Sequence, residues 1–127
     1  MSARPKVLTT TPLLVVSDLQ QSIDFYCGKL GFGKPGVWGE PPCFAMTFRD
    51  GFELMLSLNE GVQPQPNGPH GVWDMYVRIA DLDAEIAALN EAGVAIDRGP
   101  ATLPYDMREI EVIDPDGYRI CFAQDVS

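Results

Sequence analysis

The chain has 127 residues, of which 46% are hydrophobic, and it carries a formal net charge of −9 with a pI near 4.3. A chain of this length suits one domain or two fused half-units, and it can bury a core without help from disulfides or metals. The acidity makes nucleic acid and anionic membranes poor partners, and we expect neither.

The first half of the chain predicts a strand, a helix and three further strands. Met1–Lys6 is polar and is predicted to be loose. Val7–Val16 is a predicted strand, but Pro12 cannot donate to a ladder and therefore requires an edge position or an irregularity. The three further strands are predicted at Gly36–Gly39, Cys43–Phe48 and Phe52–Leu58.

A capping residue and an apolar stripe predict the first helix. Ser17 or Asp18 caps its N-terminus, with Gln20 or Gln21 at the capping-box position. Gly31 is predicted to end it. The apolar stripe recurs at helical spacing and consists of Leu19, Ile23, Tyr26 and Leu30.

The second half repeats this plan after a linker-like segment. Asn59–Gly71 contains the run QPQPNGP, which is typical of a linker. Val72–Ile79 is a predicted strand, Asp81 starts a helix that Gly93 ends, and Val94–Asp97 is a predicted short strand. The apolar stripe of this helix consists of Leu82, Ile86 and Leu89.

The chain closes with a predicted antiparallel hairpin. Arg98–Pro104, marked by Gly99-Pro100, is predicted to be a loop leading into it. Met107–Ile113 and Tyr118–Gln124 are its strands, and Asp114-Pro115-Asp116-Gly117 is its turn. The proline fixes φ at the first central position, the first aspartate can bond the backbone beyond it, and the glycine closes the turn.

Short motifs recur in the same order in both halves. VSDL at 16–19 matches IADL at 79–82, and DGF at 50–52 matches DGY at 116–118. The offset is 63 residues at the helix start and 66 at the turn. This ordered recurrence indicates that each half is one strand–helix–three-strand unit, so we predict an α+β fold of two tandem βαβββ units.

One helix can cover only one face of its sheet, so the other face must line a cavity or contact a partner. The residues that alternation assigns to the uncovered faces include Glu53, Met55, Ser57, Asp74, Tyr76, Arg78, Met107, Glu109, Glu111, Arg119, Cys121 and Ala123. Mixed carboxylates, aromatics, Met and Arg suit a pocket for an organic ligand. We therefore expect curved sheets around a cavity, and a solvated outer face is the alternative.

The cysteines indicate the cellular compartment of the protein. There are three of them: Cys27, Cys43 and Cys121. Their number is odd, they form no CxxC motif, and no apolar signal segment stands at the N-terminus. No apolar run reaches the roughly 20 residues that span a bilayer. These features favour a cytoplasmic protein with reduced thiols.

Two longer stretches carry a family resemblance. The paired βαβββ units, with VSDLQQSIDFYCGKLGF near the start and MREIEVIDPDGYRICF near the end, resemble the vicinal oxygen chelate superfamily of glyoxalases, extradiol dioxygenases and bleomycin-resistance proteins. The resemblance extends over Leu8–Gln124. It implies the glyoxalase/bleomycin resistance fold, with residues 1–127 as a single domain built from half-units 7–60 and 71–125. It does not specify a reaction.

Enzymes of this superfamily typically hold a divalent metal with side chains from four positions, two in each half. In this sequence those positions are Thr11, Met55, Asp74 and Cys121. Thr and Met are poor ligands for a hard divalent ion, and the one histidine, His70, lies in a loop instead. We therefore predict that the metal site is absent, that no cofactor is bound, and that the chain is a binder rather than an enzyme.

The hairpin most resembles the metal-free bleomycin-resistance-type proteins. That resemblance implies a homodimer that sequesters an aromatic or cationic compound, such as an antibiotic, in grooves shared between subunits. Aromatic side chains would stack on flat rings, and carboxylates would offset positive charge. The ligand-binding residues that it implies are Trp38, Phe44, Glu53, Met55, Asp74, Tyr76, Tyr105, Met107, Glu109 and Cys121.

Two enzymatic alternatives stay open at this point. A metal-dependent lyase or dioxygenase of the same superfamily would need displaced ligands such as Glu53, Glu109, Asp74 or His70. A metal-free enzyme would use Glu109 or Asp74 as general base and would need a raised carboxylate pKa. Cys121 could also be a reactive thiol, although a buried cysteine on such a strand is ordinarily inert.

Overall fold

Each half of the chain folds into a four-stranded mixed sheet with one helix packed against it. The structure, a computed structural model, describes Ala3–Ser127, and Met1 and Ser2 of the segment predicted to be loose lie outside the described residues. The first half contains β1 (Leu13–Val15), α1 (Leu19–Gly28), β2 (Gly36–Trp38), β3 (Phe44–Arg49) and β4 (Phe52–Ser57). A 3₁₀ turn at Gly68–His70 precedes β5 (Met75–Arg78), α2 (Leu82–Glu91), β6 (Arg98–Thr102), β7 (Met107–Ile113) and β8 (Arg119–Asp125). The predicted α+β fold of two tandem βαβββ units is confirmed.

The two sheets share one topology. Their strand orders are β1-β4-β3-β2 and β5-β8-β7-β6. In each sheet the first strand runs parallel to the last, and the other neighbours are antiparallel. The turn of the β7–β8 hairpin forms as predicted: the Asp114 carboxylate accepts from the amides of Asp116 and Tyr118 at 2.9 and 2.8 Å, and Gly117 has φ 92°.

Both helices are capped by an aspartate: Asp18, one of the two residues predicted to cap α1, and Asp81, predicted to start α2. Asp18 accepts from the amide of Gln21 and Asp81 from that of Ala84, each at 3.0 Å, which satisfies a free N–H in the first turn. The predicted stripe of α1 is entirely buried, although the helix itself ends at Gly28 rather than Gly31. Among the described residues, each helix has ten residues and is too short to cross a bilayer.

Three strand predictions need correction. The first strand is confined to Leu13–Val15, since the residues before Pro12 lie outside the ladder. Val94–Asp97 forms no strand; Val94 and Ile96 instead pack on the core. The strand lies at Arg98–Thr102, where Gly99-Pro100 had predicted a loop. β6 is an edge strand with a bulge between Arg98 and Ala101, and an edge tolerates a residue without an N–H.

Each half also contacts the turn region of the other. Tyr26 of α1 donates its hydroxyl to Asp114 in the second hairpin, at 2.7 Å. Arg49, at the end of β3, pairs with Glu85 of α2 and donates to the carbonyl of Leu30 at 2.9 Å. The main core of buried residues includes members of both halves. The two halves are therefore joined by a common core as well as by these polar contacts.

Candidate functional site

Alternation along the strands separates a helix-facing side of the second sheet from an open side, as predicted. Ile110 and Phe122 belong to the main core. Three residues on the opposite face form a second apolar cluster, joined by two partly buried aromatics: Met107, Cys121, Ala123, Trp73 and Tyr76. Of these five residues, Trp73 also lines the candidate site.

A cavity of about 480 Å³ lies in front of this sheet. It is lined by Gly71, Val72, Trp73, Arg98, Gly99, Ala101, Leu103, Tyr105, Glu109 and Glu111, all from the second half of the chain. The segment before β5, strand β6 and the segment before β7 provide the rim, and β7 provides the two glutamates. The sequence thus builds the cavity from one βαβββ unit.

Glu109 is buried, with 4% of its surface exposed, and two phenols hold it in place. The hydroxyls of Tyr76 and Tyr105 both donate to its Oε2, at 2.7 and 2.9 Å. Desolvation and the hydrogen bond to Glu109 raise the pKa of Tyr105 to about 12, and the same causes raise the pKa of Tyr76. Both phenols therefore remain protonated donors at neutral pH.

Glu111, two residues further along β7, has cationic partners. Arg119 donates to its Oε1 at 2.9 Å, Arg98 lies 3.5 Å from the same oxygen, and Trp73 Nε1 donates to Oε2 at 3.2 Å. Arg119 also donates to Asp97 at 2.7 Å, and hydrogen bonds to Asp97 and then Glu111 raise the pKa of its guanidinium. The charge of Glu111 is thus matched within the fold.

The open face of the first sheet has a different character. Trp38 and Phe44 contact each other with ring centroids 5.8 Å apart, and the side chain of Trp38 is about half exposed. Met55 pairs with Met46 across the β3–β4 ladder, and the carboxylate of Glu53 accepts from Thr11 at 2.5 Å. This face is largely apolar with a single carboxylate.

Nine of the ten predicted ligand-binding residues fall into two groups, one at each sheet. One group is Trp38, Phe44, Glu53 and Met55. The other is Tyr76, Tyr105, Met107, Glu109 and Cys121. Tyr105 and Glu109 line the cavity, Tyr76 donates to Glu109, and Met107 and Cys121 belong with Tyr76 to the second apolar cluster. Asp74 stands apart, since its carboxylate accepts from the amides of Asn67, Gly68 and Arg119 and ties the 3₁₀ turn to β8. Their role in ligand binding stays a prediction.

The four positions at which the superfamily holds its metal do not provide a fitting donor set. Thr11 is engaged with Glu53, Met55 offers only a thioether, and Asp74 is already bonded to three amides. Desolvation, followed by the charges of Glu109 and Glu111, raises the pKa of the Cys121 thiol and disfavours the thiolate that a metal needs. Within the described residues, no group of three His, Cys, Asp or Glu side chains could hold an ion, the displaced candidates included.

Of the ten residues that line the cavity, only Tyr105 and Glu109 were predicted as ligand contacts, and the missed residues include Trp73, Arg98 and Glu111. Trp73 lay in the predicted strand Val72–Ile79, where alternation placed it on the face opposite Asp74 and Tyr76; the strand begins only at Met75, so alternation does not apply to Trp73. Arg98 fell in the predicted loop. Glu111 was assigned to the open face by its spacing from Glu109, and the cavity shows that the two share one wall.

The three cysteines should differ in reactivity toward a thiol reagent in the folded protein. Cys43 is exposed, Cys27 is partly buried with a pKa raised by desolvation, and Cys121 is buried. We expect one fast-reacting thiol, at Cys43, and reaction of Cys121 only on unfolding. Labelling with a chromogenic disulfide, before and after denaturant, measures this, and Cys43→Ser should abolish the fast phase. Rapid labelling of Cys121 in the native protein would contradict the buried arrangement.

Comparison with known proteins adds a family and several structural relatives. Residues 7–122 match the model of the Glyoxalase/Bleomycin resistance protein/Dioxygenase superfamily. TnmS3, an antibiotic-binding protein from Streptomyces sp. CB03234, is 30% identical with a TM-score of 0.72, over 97% of this chain and 99% of that one. A superfamily member from Nocardioides is 22% identical with a TM-score of 0.73, over 100% and 87% of the two chains. A glyoxalase-related enzyme from Clostridium phytofermentans is 14% identical with a TM-score of 0.76, over 98% and 100%. The last two support the fold alone, and the curated proteins contain no match.

Proposed function

Because the chain belongs to the glyoxalase/bleomycin resistance protein/dioxygenase superfamily, we propose that it is a cytoplasmic protein that sequesters an aromatic or cationic small molecule, such as an antibiotic, without metal catalysis. The observation that carries this proposal is the cavity on the second sheet, which combines aromatic walls with a buried carboxylate. The structural relative TnmS3, described as antibiotic-binding, is consistent with it.

The cavity offers the contacts that a flat organic ligand needs. Trp73 lines the cavity and packs on Tyr76 with ring centroids 4.5 Å apart, and Tyr105, also in the lining, has about half of its surface exposed. Aromatic faces stack on planar ligands and on cations. A few fixed polar groups in an otherwise apolar pocket then orient the ligand. Here Glu109 and Glu111 are those groups.

We also propose that the protein is a homodimer, and the first sheet supports this. Its open face leaves large apolar side chains about half exposed, among them Leu13, Trp38 and Phe48. Such a patch on a soluble protein commonly marks an interface. In a symmetric dimer, this face of one copy would cover the second-sheet cavity of the other and bring both groups of predicted residues to one ligand. Light scattering of the purified protein, with Trp38→Ala tested for loss of both dimer and binding, checks this arrangement.

Binding should appear as saturable quenching of tryptophan fluorescence when the protein is titrated with bleomycin and with a panel of planar aromatic cations. Tyr105→Ala should weaken binding about tenfold, because it removes a stacking surface and one of the phenols that hold Glu109. Phe52→Ala is a matched control, since Phe52 is an exposed aromatic beside the Asp50-Gly51 turn, and it should bind as the wild type does. Absence of binding across the whole panel would refute the proposed function.

A further inference from the structure

The two buried glutamates of the cavity differ in how their charge is matched. Glu111 lies against the guanidiniums of Arg119 and Arg98. Glu109, also buried, forms no ion pair with any residue between Ala3 and Ser127, and its strong partners are two neutral phenols. A buried carboxylate without a cation is costly, and proteins ordinarily pair it. The cavity therefore presents one unmatched negative charge.

The geometry leaves one oxygen of Glu109 available to a ligand. Both phenol hydrogen bonds end on Oε2. In the described part of the chain, no N–H or O–H group donates to Oε1, and the neighbouring thiol of Cys121 is only a weak donor. Since Glu109 lines the cavity, this oxygen is the natural acceptor for a protonated nitrogen that enters beside Trp73 and Tyr105.

We infer that the second-sheet cavity selects a planar aromatic compound that carries a single protonated nitrogen, and that this nitrogen donates to Oε1 of Glu109. The inference rests on the proposed function and specifies the charge of the ligand. A neutral compound leaves the Glu109 carboxylate unmatched, whereas a second positive charge would find no further unmatched carboxylate, because Arg98 and Arg119 already pair with Glu111. Charge-assisted N–H···O bonds are the stronger class of hydrogen bond, so the preference should be large.

Calorimetric titration with two acridines at neutral pH tests this inference. The ring system of 9-aminoacridine is protonated at neutral pH and that of acridine is not, while the two have nearly the same shape. The wild type should bind 9-aminoacridine roughly tenfold to a hundredfold more tightly than acridine. Glu109→Gln, which keeps an acceptor for the two phenols, should reduce that ratio to near unity.

Asp106→Asn provides the matched control. It removes the same charge three residues away at an exposed position, and asparagine tolerates the left-handed backbone found there, with φ 62°. This variant should keep the wild-type preference. Glu109→Asp is a second variant that keeps the charge but retracts it by one methylene, and it should lose part of the preference even if Glu109→Gln folds poorly.

Two results would overturn the inference. Equal binding of both acridines by the wild type would mean that Glu109 does not select a charged ligand, and it would not contradict the proposed binding function. A preference that persists in Glu109→Gln would assign the selection to another group. If neither acridine binds, the inference also fails, and the proposed function falls with it only if the wider panel is silent too.

Discussion

Replacing Arg119 with alanine is expected to lower the free energy of unfolding by about 3 to 5 kcal/mol, because it strands a buried carboxylate. The Arg119 guanidinium, with 8% of its side chain exposed, bonds Glu111 at 2.9 Å and Asp97 at 2.7 Å. Once the arginine is removed, the half-exposed carboxylate of Asp97 can be hydrated by solvent, but the buried carboxylate of Glu111 cannot. Urea unfolding, read as a shift in midpoint at constant m-value, measures the loss.

Arg98 supplies the control within the same cluster. It approaches the same oxygen of Glu111 at 3.5 Å, but its side chain is 53% exposed, so Arg98→Ala should cost about 1 kcal/mol or less. Adding Glu111→Gln to Arg119→Ala should recover part of the stability, since the amide still accepts from Trp73 and carries no stranded charge. Equal effects of the two arginine variants would mean that burial does not set the strength of these pairs.

The elements that the sequence predicted correctly are those in which local residue preferences and the apolar pattern favour the same structure. Asp18 and Asp81 have the side chain that an N-cap needs, and Leu19, Ile23 and Tyr26 form an apolar stripe that only a helix places on one face. The strand at Arg98–Thr102 was missed because Gly99-Pro100 is a turn signal in isolation. Its strand conformation depends on the pairing with β7, a contact that lies outside the local sequence.

The site was predictable in composition but not in assembly. Strand alternation placed Tyr76, Glu109 and Cys121 on one face, and the structure brings them together. Alternation does not predict which side chains pair across neighbouring strands. Arg119 bonds Glu111, whereas Glu109 has no cationic partner among the described residues, and this difference depends on the length and direction of the side chains. Asp74 shows the same limit, because its bonds to the 3₁₀ turn arise from loop geometry that the strand pattern does not encode.

The second large effect is expected at Asp114, where the last hairpin meets α1. One carboxylate oxygen accepts from the amides of Asp116 and Tyr118, and the other accepts from the hydroxyl of Tyr26, which is fully buried. Asp114→Ala should cost about 3 kcal/mol or more, because three donors lose their acceptor and two of them belong to buried residues. Asp116→Ala, at the half-buried neighbour in the same turn, removes an acceptor only from Ser17 at an exposed contact and should cost about 1 kcal/mol.

Asp114 should also give the stability a specific pH dependence. Burial raises the pKa of its carboxyl above the ordinary value of 3.8, and the hydrogen bonds from Tyr26 and the turn amides offset only part of that rise. The folded state therefore keeps this proton to a higher pH than the unfolded state does. The resulting stabilisation is fully present below pH 3.8 and is lost as the pH rises through the folded-state pKa.

The free energy of unfolding of the wild type and of Asp114→Asn should be compared from below pH 3.8 to neutrality. The difference between the two proteins cancels the titration of other groups. The stability of the wild type relative to the variant should fall across this window and then level off, whereas a relative stability that grows with pH would mean that the fold favours the ionised carboxylate.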